Sequence, residues 1–377
     1  MPYENKEYAK IWLIEGISYS DIGLNEEALE AYERAIELDP DCAEAWCNKS
    51  SALAKLVRNE EALEAANKSI ELDSDCAEAW CNKSFALSNL GRNEEALEAA
   101  CEAIKIDPSL YSAWCDKSSA LAKLGRNEEA LDAANEAIGI KPSFYMALVN
   151  KSLALANLGR YEEALEAEDK AIEIKPDCVE ALCNKSFALS KLGRNEEALE
   201  AANEAIEIKP SFYMALVNKS SVLSKLGCNK EALEAANEAT ELDPDCAKAW
   251  CNKSSVLSKL GCNKEALEAA NKAIEIKTDY AEAWVNKSFA LSKLGRNKEA
   301  LEAADKAIEV KPDCAEAWSR KGVALFNLKT FGRSLEHFEK ATSLNSKFAE
   351  AWKYKGDVLT KLGRKEEASQ SYEKSEK

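Results

Sequence analysis

From residue 9 onward, apolar and small residues recur with two periods at once. Within short stretches they fall three and four residues apart, as Ala45, Trp46, Ala52, Leu53 and Leu56 do, which is the face of a helix and not the alternation of a strand. Over longer distances the pattern returns every 34 residues. Trp12, Trp46, Trp80, Trp114, Trp250, Trp284, Trp318 and Trp352 are separated by multiples of 34, and Leu148, Leu182 and Leu216 fill the remaining places. The frame is uninterrupted. It predicts an N-terminal extension, 1–8, and one array of eleven units: 9–42, 43–76, 77–110, 111–144, 145–178, 179–212, 213–246, 247–280, 281–314, 315–348 and a shorter 349–377.

Each unit predicts two helices. With Ala43 as position 1, helix A carries the apolar face just described, and a Gly-Arg-Asn turn such as Gly91-Arg92-Asn93 ends it. Asn93 is expected to cap helix B, Glu94 and Glu95 to suit its N-terminal dipole, and Ala96, Leu97, Ala100, Ala103 and Ile104 to be its buried face. Pro108 ends that helix. Position 33 is Asp or Ser in nearly every unit, as at Asp75 and Ser109, and is expected to cap the following helix A. In the last helix, 365–377, Ser369 stands where other units have Leu. That polar face reads as the natural end of the array and argues for a monomer.

Trp at position 4, a small residue at 8, a large apolar one at 11, Ala at 20 and 27 and Pro at 32 resemble the tetratricopeptide repeat (TPR), over essentially the whole chain. The unit 315–348 shows the pattern in Trp318, Gly322, Leu325, Phe338 and Ala341. The resemblance implies an all-α fold, a right-handed α-solenoid of helix-turn-helix repeats. The chain departs from the family in three places. Position 7 is Lys in ten units, position 24 is aromatic only at Tyr32, Phe338 and Tyr372, and position 8 is Gly only at Gly16, Gly322 and Gly356.

The resemblance also implies that positions 2, 5, 6, 9, 12 and 13 of helix A line a groove for a peptide. Position 6 is Asn48, Asn82, Asn150, Asn184, Asn218, Asn252 and Asn286, a ladder of donors and acceptors suited to an extended backbone. Position 13 supplies Lys55, Lys123, Lys191, Lys225, Lys259 and Lys293. The family's carboxylate clamp needs Lys at position 5 and Asn at position 9, a combination missing here. Ser-Phe-Tyr-Met-Ala-Leu-Val occurs at 143–149 and again at 211–217. Its tyrosines can replace the volume of the lost Trp, while Met146, Val149, Met214 and Val217 are expected to form an apolar patch in the groove. Phe85, Phe187 and Phe289 share position 9, three units apart; periodic anchors and plain duplication would both place them so.

Composition narrows the function. The chain has 377 residues and a net charge of −17. The acidity is uneven: residues 1–212 hold 22 Lys and Arg against 42 Asp and Glu, and residues 213–377 hold 28 against 25. Nucleic acid is an unsuitable partner for such a surface. No apolar run is long enough to span a bilayer, and the start lacks a secretory signal, so a cytoplasmic location with thirteen reduced cysteines is expected. The Cys-x-x-x-x-Cys pairs lack zinc spacing, so no metal or other cofactor is expected. Cys228 and Cys262 are expected to be exposed and His337 to face solvent. No nucleophile–base pair or phosphate loop can be named. The expected function is a non-enzymatic scaffold whose groove binds extended or helical segments of protein or peptide partners. The alternative is a regulatory or substrate-recruiting subunit of a multiprotein enzyme, such as a protein glycosyltransferase.

Overall fold

A computed structural model of the chain describes residues 2–376. Among them are twenty-two helices and no strand. The first helix runs Pro2–Asp21, so the residues expected to precede the first unit continue its helix A. The second to tenth units alternate a shorter helix A with a longer helix B, as in Ala43–Lys55 with Asn59–Leu72 and Ala77–Asn89 with Asn93–Ile106. The chain forms two compact units, Met1–Gly193 and Arg194–Lys377. Inside each, every helix packs on the next in sequence, and successive A helices also touch. The result is an all-α solenoid arrangement.

Helices A and B of a repeat approach closely because small residues meet at positions 8 and 24. Where position 8 is Ser and position 24 Ala, the buried hydroxyl donates to the carbonyl of position 20: Ser84 to Ala96, Ser118 to Ala130 and Ser254 to Ala266, each at 2.7 Å. Where position 24 is aromatic, position 8 is Gly. A Cβ on Gly16 would lie 2.5 Å from the Tyr32 ring, on Gly322 2.9 Å from Phe338, and on Gly356 2.6 Å from Tyr372. Two of the family departures are therefore one feature, since the hydroxyl and the ring occupy the same gap.

Where it is present after the first repeat, tryptophan joins a repeat to the one before. Its indole N–H donates to the position-32 carbonyl, as from Trp46 to Pro40, Trp114 to Pro108 and Trp318 to Pro312 at 2.8–2.9 Å. The position-7 lysines lie over these rings: Lys83 is 5.0 Å from the Trp80 ring centre, Lys117 4.9 Å from Trp114 and Lys253 4.8 Å from Trp250. In two repeats without Trp, Tyr145 and Tyr213 pack in the same clusters as Leu148 and Leu216.

The caps differ from expectation. Arg92, not Asn93, is the N-cap of helix Asn93–Ile106 and makes no side-chain cap bond. The N-cap of Ala77–Asn89 is Cys76, one residue beyond Asp75, again without a side-chain bond. The loop is held instead by the acid at position 31, since the Asp73 and Asp107 carboxylates accept the backbone N–H of Asp75 and Ser109 at 3.1 and 2.9 Å. The glycine after helix A has a positive φ, 76° at Gly91, for which its lack of a Cβ is needed.

Candidate functional site

The polar residues expected to meet a ligand are largely committed to the neighbouring repeat. The Asn82, Asn150, Asn252 and Asn286 side chains each donate through Nδ2 to a position-5 carbonyl of the preceding unit, at Cys47, Cys115, Val217 and Cys251, all at 3.0 Å. Asn48 is half-buried, Asn184 lies beside Glu168, and Asn218 is buried. The position-13 lysines also reach back one repeat. Lys55 donates to Ser20 Oγ at 2.8 Å, Lys123 to Ser88 Oγ at 2.6 Å and Lys259 to Ser224 Oγ at 2.7 Å. Burial lowers the Lys123 and Lys259 ammonium pKa values below their usual range. Lys191 and Lys293 lie 5.2 Å from the ring centres of Phe187 and Phe289, four residues earlier, and Lys225 is exposed. Local spacing gave no sign of bonds spanning 35 residues.

Two of the apolar expectations need correction. Val149 and Val217 are 6% and 1% exposed, closed inside clusters with Ala171 and Ala239, so they are core and not groove surface. Position 5 points between repeats, where only the floor of a cavity can reach it. Met146 is half-buried against Cys115 and Ala137, and Met214 is half-buried.

Each compact unit has a cavity between successive A helices. The one in Met1–Gly193 is about 310 Å³ and is lined by residues including Lys55, Glu78, Cys81, Asn82, Phe85 and Asp116. The one in Arg194–Lys377 is about 330 Å³ and includes Asn252, Tyr280, Glu282, Asn286, Glu316 and Arg320. Asp116 and Arg320 stand at position 6, where most units have Asn. Arg320 lies 4.7 Å from the Phe289 ring centre and pairs with both Glu350 carboxylate oxygens at 3.0 Å. Burial pushes the Asp116 carboxyl up to about 8. These two exceptions to the ladder were visible in the sequence but unremarkable until both proved to line cavities.

A third exception lies inside a repeat. Position 24 of unit 145–178 is Glu168, fully buried, with Ser152 and Asn184 beside it. Neither carboxylate oxygen has a hydrogen-bonding partner, and Ser152 Oγ makes no bond to position 20. Burial raises the Glu168 pKa to about 8.

The remaining reactive groups are dispersed. Cys228 and Cys262 are exposed. Cys76 is held down to about 7 by the thiol of Cys47, whose own pKa that contact and burial push up. His337 does not face solvent as expected: it is half-buried and stacks on Trp318 with ring centres 5.6 Å apart, because position 23 lies over the indole of the same repeat. Burial lowers its pKa. Among the described residues no group of three His, Cys, Asp or Glu side chains is placed to hold a metal, and no helix is long and apolar enough to cross a membrane.

Comparison with known proteins agrees with this architecture. Tetratricopeptide repeat models match residues 15–75, 115–178, 290–345 and 330–377, and a second model of the same description matches 77–110, 179–212, 215–246 and 247–280. No curated protein matches significantly. Among solved structures, the chain is similar to one in the crystal structure of the APC/C hetero-tetramer Cut9-Hcn1, with a TM-score of 0.66 and 15% identity, covering 93% of this chain and 76% of that one. At that identity the likeness is one of fold. With repeat models matching nearly its whole length, the chain belongs to the tetratricopeptide repeat family, a family of protein-interaction scaffolds.

Proposed function

We propose that the A-helix face of each compact unit binds an extended segment of a partner protein, without catalysis by this chain. The observation that carries this reading is the pair of cavities, about 310 and 330 Å³, between successive A helices of the two units. Pockets of this size hold a side chain or two of a peptide, and they lie along a surface whose polar residues are already positioned by neighbouring repeats. Because Nδ2 of the position-6 asparagines is used by the protein, the Oδ1 acceptor is what remains for the N–H groups of a ligand backbone. Phe85, Met146 and Phe187 supply apolar contacts in the first unit, and Met214 and Phe289 in the second.

The test is obstruction. Ser51 and Ser255 line the two cavities. Ser51→Trp and Ser255→Trp should each lower the capture of proteins retained by wild type on an affinity resin, with the thermal transition unchanged. Undiminished capture by the double variant would sink the groove reading.

A further inference from the structure

The repeats serve as comparison structures for one another, and position 6 is where they disagree most usefully. Phe289 and Arg320 are separated by 31 residues, and so are Phe85 and Asp116. The two pairs therefore occupy the same places in successive repeats. In the later pair, the guanidinium of Arg320 lies over the ring of Phe289, 4.7 Å from its centre, and its charge is met by Glu350. In the earlier pair the position-6 cation is replaced by a carboxylate, and the aromatic ring remains.

The other position-9 rings reinforce the contrast. Phe187 carries Lys191, and Phe289 carries Lys293 as well as Arg320. Phe85 has Asn89 where those two have lysine, and Asn89 donates instead to Asn59 Oδ1 at 3.1 Å. Among the described residues no cation lies over the Phe85 ring, which is 45% exposed and lines the cavity of about 310 Å³ together with Asp116 and Glu78. Lys55 is the one cation on that lining, and its ammonium is bonded to Ser20.

We infer that the cavity bounded by Phe85, Glu78 and Asp116 receives an arginine side chain of the partner segment, its guanidinium stacked on Phe85 and paired with the Asp116 carboxylate. The inference rests on the groove reading and specifies its ligand. The chemistry is the one completed internally by Arg320 and Phe289, with the cation now coming from outside: a flat, weakly hydrated cation suits an aromatic face and a carboxylate together. Burial is the sole cause raising the Asp116 pKa, to about 8, which favours the neutral acid at pH 7. An arriving guanidinium favours the ionised form, binding releases a proton, and affinity rises with pH across that pKa. The titratable and charged groups around it are Glu78 and Cys81 from helix Ala77–Asn89, Lys55 from helix Ala43–Lys55 and Cys115 on its own helix. Burial pushes both thiols further up, so they stay neutral over the same range. Met146 and Asn150, from the following helix Tyr145–Asn157, carry no charge.

The probes are two nonapeptides of alternating Ala and Ser, one with a central arginine and the other with citrulline, which keeps the shape and plane but not the charge. Binding to the full chain is measured by titration, with amide chemical shifts mapping the site. Wild type should prefer the arginine peptide at least tenfold, with shifts centred on residues 78–116, and the preference should grow from pH 6 to pH 9. Asp116→Asn and Phe85→Ser insert the residues that other repeats carry at these positions, so the fold is retained. Each should reduce the preference to threefold or less. Equal affinity for the two peptides in wild type, or an undiminished preference in Asp116→Asn, overturns the assignment. If that happens while Ser51→Trp still lowers capture of partners, the groove reading stands and only its arginine specificity is lost.

Discussion

Val57 adopts a φ of 63° in the turn where most repeats place glycine, and Lys329 adopts 62° in the same turn of its own repeat. A β-branched side chain in that region crowds its own carbonyl, at a cost of about 1–2 kcal/mol. Glycine removes the clash and returns part of the gain as extra freedom in the unfolded chain. Val57→Gly should therefore stabilise the protein by about 0.5–1 kcal/mol, read as a higher thermal transition in matched scans. Val57 is exposed, so no packing is lost. A lowered transition would contradict the strain argument. At this scale the sequence was legible for residues that act locally. The volume exchange of Tyr145 for Trp followed from side-chain size. The roles of Asn82 and Lys123 did not, because their partners, Cys47 and Ser88, lie 35 residues back and only the stacked repeats bring them together. The position-7 lysines were conspicuous as departures, and their three-residue spacing from Trp was the available sign that they cover the indole.

Helix pairing depends on what fills the gap between positions 8 and 24, and Glu168 is the element that fits worst. Its carboxyl has a folded pKa near 8 against an ordinary value of 4.5. An acid whose pKa rises on folding contributes most below the unfolded pKa, and that contribution is lost as pH rises through the folded one. The helix pair Tyr145–Asn157 and Tyr161–Ile174 is thus weakened between about pH 4.5 and 8. Glu168→Ala restores the residue most repeats carry and frees Ser152 to bond as Ser118 does. It should stabilise the protein at pH 8 by on the order of a few kcal/mol, read as a higher thermal transition, and the difference from wild type should shrink toward pH 4.5. A pH-independent difference would show that the carboxyl is not the cause. The 34-residue period located both helices of each repeat, but their caps were less legible. Asn93 and Asp75 are good capping types, yet the glycine turn and the position-31 Asx turn put the N-cap at Arg92 and Cys76.

Across the whole molecule the −17 charge divides into −20 on the first 212 residues and +3 on the remainder. A partner bearing the arginine inferred above would approach a surface of opposite sign, and such encounters are accelerated at low ionic strength. The association rate constant for an arginine-bearing partner should fall as salt is raised from 50 to 500 mM, with a smaller change in the dissociation rate. A salt-insensitive association rate would count against steering. The 34-residue period was legible from the tryptophan spacing, and the family and its solenoid architecture from that period together with the residues at positions 8, 11, 20, 27 and 32. The cavities were not, because they are made by residues of three successive repeats, and the exceptional Asp116 and Arg320 look like scattered substitutions until the repeats are stacked.

The two ways of filling the space between helices A and B also restrict how such a gene can rearrange. Near-identical repeats invite unequal recombination, and the second copy of Ser143–Val149 at 211–217 is the kind of duplication it leaves. A breakpoint outside the interval from position 8 to position 24 transfers the matched pair intact, Ser with Ala or Gly with an aromatic residue. A breakpoint inside it can join Ser to Phe, in a repeat where even a bare Cβ at Gly322 would come within 2.9 Å of the Phe338 ring. The reciprocal product joins Gly to Ala and leaves a void. The array can therefore lengthen or shorten by whole repeats, provided a crossover between repeats of unlike pairing falls outside positions 8 to 24.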